Sequence, residues 1–148
     1  SSPEMDAFLA SANIRLLRDE AVLLGGEVYL YGRPDAQRPG RGVEVRKTPA
    51  EFVEGLDADK PILVLDHQPR ELEALAAAGV DVDLCGHTHD GQMFPGNLTV
   101  RLFWENACGC LRVGSMHSIV TSGVGLFGPN MRVATRAEIC PITIHFMN

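Results

Sequence analysis

Three histidines follow directly after two apolar segments of the chain, a position at which side chains can gather at the ends of strands. His67 follows the run Ile62–Leu65, and His87 and His89 follow a second run that ends at Cys85. One residue separates His87 from His89, so in an extended segment both imidazoles lie on the same side. Imidazole nitrogen is a common ligand of zinc, iron and manganese. The spacing therefore predicts a metal site built on His67, His87 and His89.

The elements that must bring these histidines together are a strand, a helix and a second strand. Residues 62–65 form a continuous apolar run, which is typical of a strand buried on both faces. Residues 69–79 show a helical pattern that ends at Gly79, and residues 80–85 predict the second strand. Such a βαβ unit has parallel strands and a right-handed crossover. Both strands then end at the same edge of the sheet, where open α/β folds bind ligands.

The remaining segments predict a mixed α/β fold. We expect a helix from Pro3 to about residue 12, with Ser2 as its N-cap, and a second helix capped by Thr48, with Glu51 at the capping-box position. The dipeptide at residues 25–26 is Gly-Gly, which indicates a hairpin. Residues 32–43 predict a loop, and residues 114–117 a second hairpin turn. Further strands are predicted at residues 14–17, 21–24, 27–31, 98–103, 111–113, 118–121 and 138–146.

Composition excludes several classes of protein. The chain has 148 residues, of which 45% are hydrophobic, and a net charge of −6. This length suits one domain, and the acidic balance argues against broad binding to nucleic acid. No segment has the roughly 20 apolar residues that a transmembrane helix requires. Cys108 and Cys110 form a C-x-C pair without a second pair at metal-finger spacing, so we expect free thiols.

Two motifs around the histidines resemble the last two metal-binding motifs of the calcineurin-like metallophosphoesterases. The first is the D-H-Q-P of residues 66–69, and the second is the G-H-T-H-D-G of residues 86–91. Residues 121–125, 128–132 and 136–139 are similar to the tail of a bacterial, phosphodiesterase-like subgroup. The resemblance implies an α/β fold that forms part of a two-layer β-sandwich flanked by helices.

The same resemblance implies a dinuclear centre that hydrolyses a phosphodiester or a phosphomonoester. In the family pattern, His67 and His87 would bind one divalent ion and His89 its neighbour, the metals being manganese, iron or zinc. Two ions of this kind activate the attacking hydroxide and stabilise charge on the phosphoryl group. Asp66 and Asp90 adjoin these ligands in sequence, and we do not expect either to bridge the ions.

The chain departs from the family pattern in its other motifs. The family's D-x-H, G-D-x-x-D and G-N-H-[DE] motifs, which supply the remaining ligands, do not occur in residues 1–148. We therefore expect residues 1–148 to be a single partial domain, the carboxyl-terminal portion of a longer enzyme, and to be inactive or very weak alone. Any targeting signal would then lie in the absent portion, which leaves open whether the protein is cytoplasmic or exported.

Two arginines are weaker candidates for contact with a phosphate. Arg33 opens the basic loop that also contains Arg38 and Arg41, and Arg132 follows a Gly-Pro turn. A solvated loop and a structural role are the alternatives for Arg33 and Arg132, respectively. His117 receives no role.

Two other functions stay open at this stage. The first is a non-catalytic metal-binding or self-associating module, in which the missing portion or a second copy of the chain covers the sheet. The second is a zinc hydrolase with one ion on three histidines. Apart from a phosphoester substrate, the sequence implies no nucleic-acid partner and contains no membrane segment.

Overall fold

The computed structural model describes residues 3–35, 37–38, 42–43 and 45–145, which form four short α-helices and eight strands. The helices are α1 (Pro3–Ser11), α2 (Pro49–Val53), α3 (Leu72–Ala77) and α4 (Gly96–Thr99). The strands are β1 (Glu20–Leu24), β2 (Val28–Gly32), β3 (Gln37–Arg38), β4 (Gly42–Val43), β5 (Ile62–Leu65), β6 (Val82–Cys85), β7 (Gly109–Val113) and β8 (Met116–Val120). Two 3-10 turns lie at His89–Gly91 and Val100–Leu102. None of the described helices is long and apolar enough to cross a membrane.

Six of the strands form one mixed sheet in the order β1-β2-β5-β6-β8-β7. The four central strands are parallel, and an antiparallel hairpin closes each edge. Strands β3 and β4 pair separately. The predicted mixed α/β class and the parallel βαβ unit of β5, α3 and β6 are therefore confirmed. Within the described residues, the six-stranded sheet is one layer, and a second layer of the implied sandwich is not among them.

The hydrophobic core lies between one face of the sheet and helices α2 and α3. Val64 on β5 is fully buried beside Leu75 of α3, and the rings of Tyr31 and Phe52 stack with their centroids 4.1 Å apart. Met116, on β8, belongs to the same core and is also fully buried. The core thus fixes α3, and with it the crossover between the two strands that precede the histidines.

The predicted helix cap at Thr48 and the predicted hairpin at residues 25–26 are confirmed. Thr48 caps α2, and Glu51 completes the capping box. The hairpin glycines at residues 25–26 both have positive φ. Helix α3 begins at Leu72, later than predicted, because Glu71 has a left-handed backbone conformation and its carboxylate accepts hydrogen bonds from two arginines. Ser2, the predicted cap of α1, lies outside the described residues.

Three predicted strands are wrong in the described part of the chain. Residues 14–17 form no strand; Leu17 packs against Gly32, where an added Cβ would lie 2.4 Å from the Leu17 Cβ. Residues 98–102 are helical, since α4 and a 3-10 turn follow the turn at Phe94-Pro95, and Phe103 comes directly after them. Residues 138–145 have no regular structure and are tied down by the carboxylate of Glu138, which accepts bonds from the Thr121 hydroxyl and the Ser122 amide.

Strand β6 carries a buried acidic residue, Asp83, which is paired with Ser118 of β8. The Asp83 carboxylate is fully buried and accepts bonds from the Cys85 thiol and the Ser118 hydroxyl, and Asn106 donates to the Ser118 carbonyl. Burial raises the pKa of Asp83 to about 6, a shift to which the nearby Asp66 carboxylate adds. The folded protein therefore takes up a proton on Asp83 at a pH at which the unfolded chain does not.

This shift predicts how stability changes with pH. Because the pKa of Asp83 is higher in the folded state than its ordinary value of 3.8, its contribution to stability is complete below about pH 4 and is lost as the pH rises through 6. The loss amounts to roughly 3 kcal/mol. In urea unfolding between pH 4 and 8, Asp83→Asn should remove this pH dependence. The free energy of unfolding of the variant should therefore rise relative to that of the parent chain as the pH rises. Parallel stability curves for the two proteins would contradict the assignment.

Candidate metal centre

Parallel pairing of β5 with β6 brings His67 and His87 together at one edge of the sheet. The ladder continues past the strands, because the Asp66 amide donates to the Leu84 carbonyl at 3.0 Å and the Gly86 amide donates to the His67 carbonyl at 3.2 Å. The two rings meet edge to face at a centroid distance of 4.9 Å. His67 Nε2 and His87 Nδ1 are 3.1 Å apart. Two of the three predicted ligands therefore form a close pair.

His89 reaches the same cavity by a different route from the one predicted. The segment is not extended, since His87, His89 and Asp90 all have positive φ, between 51° and 65°. The argument that residues i and i+2 share a side therefore does not apply here. His89 instead lies nearly parallel to the Phe127 ring, and its buried Nδ1 atom has no hydrogen-bond partner among the described residues.

The three histidines border one cavity of about 370 Å³ but do not form a closed cluster. Across the described part of the chain, no three side chains of the His, Cys, Asp and Glu types converge closely enough to hold a metal. The other residues that line the cavity are Asp35, Thr88, Gly91, Gln92, Val100, Trp104 and Phe127. The cavity thus contains one imidazole pair, a third imidazole set apart from it and a wall of apolar and aromatic side chains.

Two histidines of the cavity, His87 and His89, favour the neutral form. The pKa of His87 is lowered by its partial burial and then by the neighbouring His67. The pKa of His89 is lowered by burial and by the charge of Arg132. A neutral imidazole keeps a lone pair on one ring nitrogen, which is the form that binds metals.

Arg33, a predicted phosphate contact, lies in a buried ion network next to the site. Its guanidinium is 3.0 Å from the Asp66 carboxylate and 2.8 Å from that of Glu71, and its side chain is not exposed to solvent. Arg46 pairs with the same two acids. Burial raises the pKa of Asp66, and the charges of Arg46 and Arg33 oppose that shift. Asp66 thus faces the two arginines.

Of the other loop arginines, Arg41 lies outside the described residues, as does the side chain of Arg38.

Arg132, the second phosphate candidate, binds backbone oxygens around the histidine loop. Its guanidinium donates to the carbonyls of His89, Ser122, Gly123 and Gly125 at 2.7 to 3.1 Å. These bonds join the loop that carries His89 to the segment that follows β8. The structure therefore places Arg132 as an anchor of the loop.

Sequence reasoning missed four residues near the histidines. Asp35, Trp104 and Phe127 line the cavity, and Arg70 covers the Trp104 ring. Trp104 and Phe127 lie far from the histidine motifs in sequence, so no local spacing links them to the site. The one available signal was the presence of a single tryptophan in the chain.

Comparison with known proteins assigns the family. An uncharacterized metallophosphoesterase of Aquifex aeolicus is 33% identical over 139 residues, which cover 93% of this chain and 53% of that protein. The chain belongs to the metallophosphoesterase family. A second family member, from Helicobacter pylori, is 32% identical over 90% of the chain and 36% of its own length. A Danio rerio transmembrane protein with a metallophosphoesterase domain is 39% identical over 72% of the chain and 24% of its own length.

The metallophosphoesterase chain thus spans about half the length of the Aquifex relative and smaller shares of the others. No family model matches the chain, and no solved structure is significantly similar to it.

The loop that carries His89 depends on a close backbone contact. Gly91 has a φ of +72°, and a Cβ built on it would lie 2.3 Å from the carbonyl group of Gly96. Gly91→Ala should therefore lower the free energy of unfolding by roughly 2–4 kcal/mol, from backbone strain and steric overlap together.

The matched control for this substitution is Gly114→Ala. Gly114 also has positive φ, but a methyl group added there would have nothing within 4 Å, so only about 1–2 kcal/mol of strain is expected. Urea unfolding of both variants measures the difference. Equal destabilisation by the two substitutions would show that the Gly91–Gly96 contact is not the constraint.

Proposed function

We propose that this protein is a metal-dependent phosphoric ester hydrolase in which His67 and His87 hold one divalent ion. The observation that carries the proposal is the pair of ring nitrogens 3.1 Å apart at the carboxyl edge of the sheet. Membership of the metallophosphoesterases supports both the metal and the class of reaction. The proposal covers phosphodiester and phosphomonoester substrates alike.

The donor set fits a divalent ion on three grounds. Two imidazole nitrogens that are neighbouring ligands of one ion are about 3.0 to 3.4 Å apart, and the observed separation falls in that range. The lowered pKa of His87 favours the neutral ring that binds a metal. Both rings border an open cavity, so an ion has an entry path. Manganese, iron and zinc all accept imidazole ligands.

The second ion of a dinuclear centre would be held by His89. Its Nδ1 atom is buried and unpartnered among the described residues, which is costly unless a ligand is bound there. No acidic residue completes the set within the described part of the chain. We therefore propose that the remaining ligands, the bridging carboxylate included, come from outside the described residues, and that the chain alone is inactive or nearly so.

The chain's own residues have separable tasks in this proposal. Divalent ions would supply activation of the attacking water and stabilisation of charge on the phosphoryl oxygens. His67 and His87 hold their positions through the backbone bonds that join the two strand ends. Arg132 fixes the loop that carries His89. Trp104 and Phe127 line the cavity beside His87 and His89, respectively.

A second candidate function is a self-associating module, and it rests on the face of the sheet opposite the helices. Leu65 pairs with Leu84 and Leu84 with Ile119, so these three side chains share that face. Leu65 is 40% exposed. A second copy of the chain would bury this apolar surface. Sedimentation separates the two cases, since a monomer at micromolar concentration would contradict self-association.

Metal titration tests the first proposal directly. His67→Ala should weaken zinc or manganese binding at least tenfold, because one of two paired ligands is removed. His117→Ala is the matched control, because His117 is exposed on β8 and does not line the cavity. Calorimetric titration measures the affinity, and circular dichroism checks that each variant folds.

Two outcomes would change the assignment. Equal affinity of the His67 and His117 variants for metal would contradict the assignment of His67 as a metal ligand. Binding of one equivalent of zinc together with esterase activity in the isolated chain would favour the mononuclear alternative. In a longer form of the protein that contains the remaining ligands, loss of phosphoesterase activity in His67→Ala but not in His117→Ala would support the proposed hydrolase function.

A further inference from the structure

Two aromatic side chains border the cavity, each beside a different histidine. The Trp104 ring lies 5.1 Å from the His87 ring at an angle of 63°. The Phe127 ring lies 6.5 Å from the His89 ring and is nearly parallel to it. Any organic group attached to a phosphate at the histidine pair would therefore enter a space with aromatic walls.

Contacts behind the cavity hold Trp104 in place. The Arg70 guanidinium lies 4.5 Å from the centroid of the Trp104 ring. Arg70 Nε donates to the side-chain oxygen of Gln68 at 2.9 Å, and Gln68, which is buried, donates to Asp35 at 2.7 Å. The tryptophan is thus part of a connected set of contacts that begins beside His67.

Phe127 is fixed through its backbone, although its side chain is 74% exposed. The buried Gln92 side chain accepts a bond from the Phe127 amide and donates to the carbonyls of Phe127 and Pro129 at 2.7 and 3.1 Å. A buried amide therefore uses its oxygen and its nitrogen to position an exposed aromatic residue. Exposing a phenyl ring is unfavourable, and a flat ligand that covers it recovers that free energy.

We propose that this cavity binds a phosphoester whose organic group carries a planar aromatic ring, a phenyl group or a nucleobase. The inference rests on the proposed function, which places the phosphate at His67 and His87. The ring would then contact Trp104 and Phe127. A volume of about 370 Å³ lies within the usual range of small-molecule sites, about 300 to 1,000 Å³. Small acyclic polar groups, such as glycerol, would leave both aromatic walls uncovered.

The chain provides its own reporter, because Trp104 is its only tryptophan. The test is a fluorescence titration of the zinc-loaded 148-residue chain with phenyl phosphate, adenosine 5′-monophosphate and glycerol 2-phosphate. At least one ring-bearing ligand should change the tryptophan emission and bind about five- to tenfold more tightly than glycerol 2-phosphate. A preference for phenyl phosphate or for the nucleotide identifies the ring.

Paired phenylalanine variants locate the ring. Phe127→Ala should reduce affinity for the ring-bearing ligand about five- to tenfold and leave glycerol 2-phosphate binding unchanged. Phe103→Ala is the control, since Phe103 is 81% exposed and does not line the cavity. Phe127→Leu, which retains apolar area, should show a smaller loss than Phe127→Ala.

Several results would overturn the inference. These are equal affinities for ring-bearing and glycerol ligands, equal effects of the Phe127 and Phe103 variants, and the absence of any emission change. If His67→Ala still weakens metal binding at least tenfold in those cases, the proposed hydrolase stands and only the ring preference fails. If ring-bearing ligands bind but His67→Ala leaves metal binding intact, the proposed function fails instead.

Discussion

The parallel pairing of β5 with β6 is the interaction on which the rest of the site depends. The ladder does not stop where the strands end, because Gly86 donates to the carbonyl of His67 itself. The distance between the two imidazoles is therefore set by a backbone hydrogen bond between neighbouring chain segments. Helix α3, packed on the core through Leu72 and Leu75, keeps the two strands adjacent. Such preorganisation would lower the entropic cost of holding an ion at the proposed pair.

A buried charge network supports the same edge of the sheet from behind. Asp66 lies next to His67, accepts a bond from the His67 amide at 2.7 Å and pairs with two arginines. Buried charges persist only when they are well paired, so each member of this network depends on the others. Glu71, whose backbone delays the start of α3, links the helix to the same arginines. The Asp66 carboxylate beside His67 is thus paired with two arginines of the fold.

The sequence allowed prediction of those features that arise from local patterns. The βαβ unit followed from two apolar runs and a helix that ends at Gly79, and the pairing of His67 with His87 followed from that topology. The strand prediction at residues 98–103 was wrong because a short run with alternating apolar residues fits a helix and a strand equally well. The turn at Phe94-Pro95 and a bond from the Thr99 hydroxyl to the Gly96 carbonyl favour the helix there.

The site was predictable only in part for a similar reason. His89 faces the cavity through positive φ angles that residue spacing does not reveal. The aromatic walls come from Trp104 and Phe127, which reach the histidines through tertiary contacts and carry no local motif. Arg33 was predicted as a phosphate contact from its basic neighbours, whereas its acidic partners lie 33 and 38 residues away in sequence. Long-range pairing of this kind is invisible to a scan of short segments.

Arg132 has a further consequence for the loop that it holds. All four of its described acceptors are neutral backbone oxygens, so its bonds do not rely on a carboxylate counter-charge. Dissolved salt weakens attraction between two charges much more than it weakens short hydrogen bonds to carbonyls. The position of His89 is therefore insulated from ionic strength, whereas exposed ion pairs elsewhere, such as Arg18 with Asp6, are not.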